Sequence, residues 1–571
     1  MNDRMTAPPI TGAPLSCEVL IVGGGPVGLA LACELGSRDV SCIVADEKAG
    51  FHEHPRATFL GPRAMEYFRA WGIDRLVLEH AVPADYRPDV AFTETLAGAE
   101  LGRLRFPTIR EMIDRTPETL RTYPQLSWSR FGKVVIGQSH LEPVLFDASE
   151  QFACVRNLKG VRVVAFEESS AAVSVVAEEK SGKRLAITAR YVVGCDGGRS
   201  AIRERLGASL EGIGEVGRSV NTYFDCPGLL QAIGKEPAAI YWSLRPNATG
   251  AILAVDGHRK WVFSRHLLPH ETFSEDQHPS ASILAALGVN VPLTVLSSWF
   301  WIPRQLVSTS YGSGRIYLAG DSAHLMSPTG GYGLNTGLGD AVNLGWKLAA
   351  VLKGWGHPAL LSTYEQERRP MAVRASKEAT DNRAFTREIL KTGALLLDES
   401  TRAPALAFIE RTMHRHGKHF DGNGIYLGDR YDHSPIVVDD DSPQIPWDAE
   451  VYVPISKPGN RLPAHWLDPS ATTHDVCGRD FTLITRNPAA TQPLQQAFAQ
   501  RGIPLKVTPL EGNAHGMGPA HLLVRPDGIV AWKGRSFQDP AEVAMRVSGF
   551  QLSAQATAHQ DSPSPKTKAL S

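Results

Sequence analysis

No run of 18 apolar residues occurs in the chain, so no membrane-spanning helix is expected. Cysteine is scarce and scattered. The seven cysteines form neither a CxxC pair nor a metal-ligand spacing, which excludes a zinc ribbon and a dithiol redox centre and fits reduced, structural thiols in a cytoplasmic protein. Charge of one sign is not in excess: 59 Lys and Arg stand against 60 Asp and Glu. That balance argues against nucleic acid or a membrane surface as a partner. Residues 1–16 are polar and Pro-rich without the apolar centre of a signal peptide, and a flexible N-terminus is expected. There is no internal repeat. The one low-complexity block is the tail, 551–571, whose Ser, Gln, Lys and Pro predict disorder. What is present is an ordinary globular composition, 43% apolar over 571 residues, enough for two or three domains.

Cys17 to Val22 reads as a buried strand. Gly23-Gly24-Gly25-Pro26-Val27-Gly28 then turns into a helix that runs to about Gly36, and Val40 to Ala45 forms a second buried strand ending at Asp46. Strand, Gly-rich turn, helix and strand make the context that a dinucleotide fingerprint requires. Gly23 permits the tight turn, Gly25 lets the backbone approach a pyrophosphate, and Gly28 lets helix and strand pack closely. The N–H groups at the helix start then face the phosphates. Pro26 loses nothing there, because its missing N–H would have had no helical partner. Asp46, 18 residues past Gly28, is placed to accept hydrogen bonds from a ribose. The plainer alternative is an ordinary βαβ turn.

Two later segments separate a flavin from a nicotinamide dinucleotide. In Tyr191 to Arg203 an apolar strand breaks at Asp196-Gly197 and a helix begins near Ser200. In Gly314 to Lys347 the run Leu318-Ala319-Gly320-Asp321 leads through His324, Pro328 and the Gly330-Gly331-Tyr332-Gly333 turn into a helix near Leu334 and Asn335. The three segments, in this order and at this spacing, resemble the class A flavoprotein aromatic hydroxylases. That family includes p-hydroxybenzoate hydroxylase, phenol hydroxylase and the hydroxyphenylpropionate hydroxylases. The similarity extends from about Glu18 to Trp532.

The resemblance implies FAD as cofactor, NADH or NADPH as transient co-substrate, and an α/β fold. Its parts would be a Rossmann-like FAD-binding domain (17–205 and 300–420), an inserted antiparallel-sheet substrate domain (206–299), and a linker with a thioredoxin-like C-terminal domain (421–550). It also implies roles for individual residues. Asp46 would hold the adenosine ribose, Arg56 and Gln138 would lie near the cofactor, and Asp321 would bind the ribityl hydroxyls. The N–H groups of the helix starting near Leu334 and Asn335 would face the flavin pyrimidine edge, where a positive helix end suits the charge of reduced flavin. Asp196 and Gly197 would serve FAD and the nicotinamide, or merely close a strand. Asp321 could instead cap a helix, and His324 is expected to pack and hydrogen-bond rather than act as a base. Gly331 and Gly333 would leave room for a moving flavin, or simply form a turn. The Pro328 carbonyl would face the substrate. His54, Thr58, Tyr223 and Tyr241 are candidates for a base that remains unassigned.

Ser219 to Asp225, Ala239 to Leu244, Gly250 to Val255 and Lys260 to Arg265 read as strands, with a hairpin at Asp256-Gly257-His258. Trp299-Phe-Trp301-Ile-Pro303 resembles a flavin-dependent halogenase signature but lacks one residue, and is read as a strand entering the cofactor domain. Beyond residue 421, strands at Phe481 to Thr485 and Leu505 to Thr508, a helix near Pro493 to Arg501, a hairpin at Pro526-Asp527-Gly528 and a final helix at Pro540 to Val547 follow a thioredoxin-like order. Cys477 stands alone, so dithiol exchange is excluded and a structural or dimer-contact module is expected. The activity implied is hydroxylation of a small aromatic compound by dioxygen through a C4a-hydroperoxyflavin. The rival readings are a halogenase or dehydrogenase, and a non-catalytic FAD-loaded interaction protein.

Overall fold

The computed structural model describes residues 13–56, 59–246, 248–267, 279–415, 417–510 and 521–552. Thr58, most of the expected N-terminal arm and most of the expected tail lie outside them. The chain divides into two compact units. One runs to Val342 and adds Arg369–Gly428 and Trp447–Val453; the other comprises Asn343–Arg368, Asp429–Pro446 and the chain from Pro454. The second unit therefore includes helix segments well before residue 421, where the linker and C-terminal domain were expected to begin.

In the first unit, an eight-stranded sheet is built on five parallel strands in the order Ile316–Leu318, Arg184–Gly194, Leu15–Val22, Cys42–Asp46 and Val155–Lys159. Leu15–Val22 is the pivot: its sequence neighbour Cys42–Asp46 lies on one side and the distant Arg184–Gly194 on the other. Its last four residues are buried, as expected of a strand covered on both faces. The expected helix is found at Pro26–Gly36, buried from Gly28 onward.

A seven-stranded sheet follows the order Thr294–Trp301, Ser219–Asp225, Lys260–His266, Gly250–Ala254, Ile240–Ser243, Val90–Thr93 and Glu100–Leu104. All four expected strands are present. At the expected hairpin, Asp256 Oδ1 accepts the N–H groups of His258, Arg259 and Lys260. The sheet exceeds the bounds 206–299, because Val90–Thr93 pairs in parallel with Ile240–Ser243 and brings Glu100–Leu104 with it. The segment with Trp299 and Trp301 is an edge strand of this sheet, paired with Ser219–Asp225, and not a strand of the cofactor sheet. Only after Pro303 does the chain, at Arg304–Ser308, join Leu210–Glu215 in a separate three-stranded sheet.

In the second unit, Phe481–Thr485 pairs in parallel with Leu505–Pro509 and antiparallel with His521–Val524, which pairs with Val530–Gly534. Helices Gln492–Gln500 and Pro540–Val547 complete the expected order. Its buried centre is ionic as well as apolar. Glu367 receives both guanidinium arms of Arg525 at 2.6 and 2.8 Å, Lys347 Nζ at 2.6 Å, Asn343 Nδ2 at 2.8 Å and the Ser434 hydroxyl at 2.6 Å.

Candidate active site

Parallel strands present their C-terminal ends at one edge, and three neighbouring strands here end in the three motifs. Val22 is in register with Gly194, and Gly194 with Leu318. Backbone bonds from Cys195 N to Val22 O (2.7 Å) and from Ala319 N to Gly194 O (3.0 Å) carry the alignment past the strand ends. Gly23, Asp196 and Asp321, remote in sequence, are thereby set side by side at the place where parallel sheets bind nucleotides. Buried Arg203 ties two of the motifs together, donating to Ser322 O at 2.9 Å and Gly198 O at 3.0 Å.

Each glycine of the first turn meets a different constraint. Gly23 has φ +109°, and a Cβ there would lie 2.3 Å from Cys195 O. A Cβ on Gly28 would lie 2.0 Å from Gly23 O, so the helix could not seat against the turn. A Cβ on Gly25 would meet no protein atom within 4 Å. Gly25 is also the N-cap of Pro26–Gly36, and no side chain caps that helix. Open space beside uncapped helical N–H groups is what an approaching pyrophosphate needs. Asp46 ends its strand as expected. Its Oδ2 accepts Lys159 Nζ at 3.2 Å, and a Cβ on Gly24 would lie 2.8 Å from the same oxygen.

Asp321 is the one exposed side chain between Ile316 and His324. Protein mass around it nevertheless raises its carboxyl pKa by desolvation, while His324 and Arg56 pull it down in part. The carboxylate makes no helix cap. His324 is fully buried, with Nε2 2.7 Å from Asp340 Oδ2, which also accepts Gly320 N at 3.2 Å. This pair pins the Gly320-Asp321 turn to the helix Tyr332–Leu352. Asp340 was missed in the sequence because nothing local marks a buried carboxylate 16 residues after the histidine it holds. Asp196 turns back on its own chain: Oδ2 accepts Ile202 N at 3.2 Å at the start of Ala201–Arg205, and burial raises its pKa. Gly197, at φ +81°, forms the turn beside it.

The long helix begins at Tyr332, before Leu334. Tyr332 buries its ring against Ala375, Ala379 and Tyr426, which fixes the earlier start. The Asn335 side chain is a stitch: Oδ1 accepts Gly61 N at 2.7 Å, and Nδ2 donates to Gly331 O at 2.7 Å and Phe59 O at 3.2 Å. Gly330 and Gly331 have φ +95° and +73°, so the turn itself requires them. Gly333 is different, because a Cβ there would make ordinary contact with Met326 at 3.5 Å. The Pro328 carbonyl accepts Gly331 N at 2.9 Å, so the turn already uses one of its lone pairs.

Gln138 opens the helix Gln138–Glu150 and donates to Glu142 Oε1 at 2.6 Å. Glu142 also accepts the backbone N–H of His52 at 3.0 Å and lies 3.0 Å from its Nδ1. Burial works against this carboxylate, but its bonds with His52 win and hold its pKa below the usual range. Arg56 is exposed, its guanidinium 5.2 Å from the Trp299 ring centroid, and its charge reaches His54 and Asp321. Two of the candidate bases come together: His54 Nδ1 lies 2.9 Å from Ser297 Oγ, and its ring meets Tyr223 edge-on at 6.0 Å. Burial lowers the His54 pKa and raises that of Tyr223. Tyr241 is not available as a base. It is fully buried, and its hydroxyl is held by Ala238 N at 2.9 Å and Glu236 O at 3.2 Å.

The open Gly25 turn, the exposed Asp321, Asp46 and the exposed charge of Arg56 fit the pyrophosphate and polyol of FAD. Comparison with known proteins agrees. Residues 16–379 match the family described as FAD binding domain, and residues 456–549 match the aromatic-ring hydroxylase C-terminal family. The chain is 30% identical to the 4-methyl-5-nitrocatechol 5-monooxygenase of a Burkholderia species, over 95% of this chain and 98% of that protein. It superposes with a TM-score of 0.83 on RebC carrying bound 7-carboxy-K252c, at 31% identity, over 94% of this chain and all of the other. The flavin-dependent monooxygenase PieE, solved with FAD and substrate, gives a TM-score of 0.83 at 27% identity, again over 94% and 100% of the chains. The chain belongs to the FAD-dependent aromatic-ring monooxygenases.

Proposed function

We propose that this enzyme hydroxylates a phenolic or other small aromatic compound, consuming NADH or NADPH and dioxygen. The reading is carried by Asp321: an exposed carboxylate held by a buried His324–Asp340 pair beside an open glycine turn. When bound there, FAD supplies the electron relay from the nicotinamide and the activation of dioxygen. The protein's own part is binding and orientation. Asp321 accepts the ribityl hydroxyls, and the start of Pro26–Gly36 receives the pyrophosphate. The seven-stranded sheet offers Ser297, Tyr223 and Trp299, with His54 of a loop packed against them, as one wall for the ring. The named activities of relatives, a 4-methyl-5-nitrocatechol 5-monooxygenase and a tetracenomycin A2 monooxygenase-dioxygenase, support an aromatic substrate.

In the second unit, the four-stranded sheet with its two helices supports a thioredoxin-like module without a thiol pair, and a homodimer is the assembly we expect. Free cysteines throughout fit a reducing, cytoplasmic setting. No described helix is long and apolar enough to cross a membrane. The test is stopped-flow reduction of the FAD-loaded enzyme by NADH and NADPH with and without phenols. Substrate should accelerate reduction strongly and yield hydroxylated product. Equal rates with every ligand of a broad panel, and peroxide as the only oxygen product, would count against a gated hydroxylase.

A further inference from the structure

Lys133 precedes the short strand Val134–Val135, which pairs with Phe59–Leu60. Its Nζ lies 5.3 Å from the Phe59 ring centroid and 5.0 Å from that of Tyr426. Those two rings border the Gly330-Gly331 turn. The Tyr426 hydroxyl donates to the Gly330 carbonyl, and a Cβ on Gly331 would lie 3.3 Å from Phe59 Cβ and 3.4 Å from the Tyr426 oxygen. One N–H of Lys133 donates to Phe420 O at 2.5 Å, and Phe420 meets Phe92 of the seven-stranded sheet edge-on at 6.3 Å. Lys133 therefore stands half-buried where the Pro328–Gly331 loop and the sheet approach each other.

We propose that the Lys133 amine takes the proton of the phenolic substrate and then pairs, as ammonium, with the phenolate. The inference rests on the hydroxylase reading above. In this step the phenol O–H bond breaks and an Nζ–H bond forms; the oxygen keeps the electron pair, which activates the ring carbons, and nothing is oxidised or reduced. A phenol ionises near pH 10 in water, so the site must supply help. Burial pushes the Lys133 pKa down to about 8, against a partial upward pull from Asp421. A fraction of the side chain is thus the free amine near neutral pH, and the fraction grows toward pH 8. Two titratable groups face it. Asp421 is engaged with Asn423 Nδ2 at 2.8 Å, and burial holds Tyr426 protonated well above its usual range. Among the described residues no carboxylate forms an ion pair with Lys133, which leaves its charge for a ligand. The competing role is a purely structural cation between two rings.

The test uses FAD-loaded enzyme and nitrophenols of one to three rings, whose ionised forms are read directly by absorbance. Below the pKa of each free probe, the wild type should hold at least one probe as its phenolate. Lys133→Met should retain FAD but shift the bound probe toward the phenol by about tenfold or more, as expected for loss of a close opposite charge. Lys133→Arg should keep the bound phenolate yet lose the rise in kcat/KM near pH 8, because a guanidinium cannot accept the proton. An unchanged ionisation in Lys133→Met, or no ionised bound probe in the wild type across the panel, overturns the proposal. A normal probe shift without oxygenated product from any phenol would defeat the hydroxylase reading instead.

Discussion

At the scale of single residues, the site depends on side chains that are held rather than merely present. Among the described residues no helix N–H bonds the Asp321 carboxylate, and under the proposed reading it takes the ribityl chain. Asp321→Ala should weaken FAD binding by about 1–3 kcal/mol, the worth of a hydrogen bond to a charged group. Fluorescence titration of the apoprotein checks this, and an unchanged affinity would remove Asp321 from the site. The sign of the pH effect follows from burial. A raised carboxyl pKa means that the acceptor is lost at a higher pH than for an ordinary aspartate, so FAD affinity should fall early on acidification. The dependence should vanish in Asp321→Asn. The placement of Gly23, Asp46 and Asp321 at or just past strand ends was legible in the motifs. The parts of Asp340, Glu142 and Lys133 were not legible, because their partners are brought near only by the fold. The side chain of Asn335, whose sequence reading concerned only the N–H groups of the helix start, bonds backbone at Gly61, Phe59 and Gly331, which no local signal announces.

Among elements, the first turn separates two uses of glycine. Gly28→Ala would drive a methyl group to within 2.0 Å of Gly23 O, and should destabilise the fold itself by several kcal/mol, seen as a large drop in thermal midpoint. Gly25→Ala meets no protein atom, so stability should stay near wild type while FAD affinity falls at least tenfold, because the methyl group would stand where the pyrophosphate must approach. A Gly25→Ala protein that binds FAD normally would contradict the assignment of this turn. Four strands of the seven-stranded sheet were read from alternation and turn residues, and Ser219–Asp225 there and Phe481–Thr485 in the second unit appear with the expected bounds, whereas Val155–Lys159 of the eight-stranded sheet was not read. The strand Thr294–Trp301 was misplaced because periodicity reports which residues face a core and says nothing of which sheet supplies the partner. The recruitment of Val90–Thr93 escaped for the same reason, since a parallel pairing with Ile240–Ser243 has no local signature.

At the scale of the whole molecule, the second unit is centred on a buried carboxylate. Burial pushes the Glu367 pKa up, but Arg525 and Lys347 outweigh it and hold the group far below the usual range. A depressed folded pKa stabilises at pH values above the unfolded value of about 4.3 and is lost as pH falls toward the folded value. This unit should therefore unfold in acid, and Arg525→Met should cost about 3–5 kcal/mol by leaving Glu367 short of its main counter-charge. Thermal denaturation at about pH 2.5 and about pH 7 checks both, and an Arg525→Met protein as stable as wild type would exclude the cluster as the unit's anchor. Truncation near Pro458 removes Arg525 and should destabilise the chain for the same reason. Cys477, whose thiol donates to Thr473 O at 3.3 Å within its own unit, should tolerate replacement by Ala with turnover intact. One stoichiometry tests whether this enzyme hydroxylates its substrate. With labelled dioxygen, NADH or NADPH and the phenol that most accelerates flavin reduction, product mass should rise by one labelled oxygen atom for each nicotinamide oxidised. Nicotinamide oxidised in step with hydrogen peroxide, with no labelled oxygen in any product, would contradict that activity.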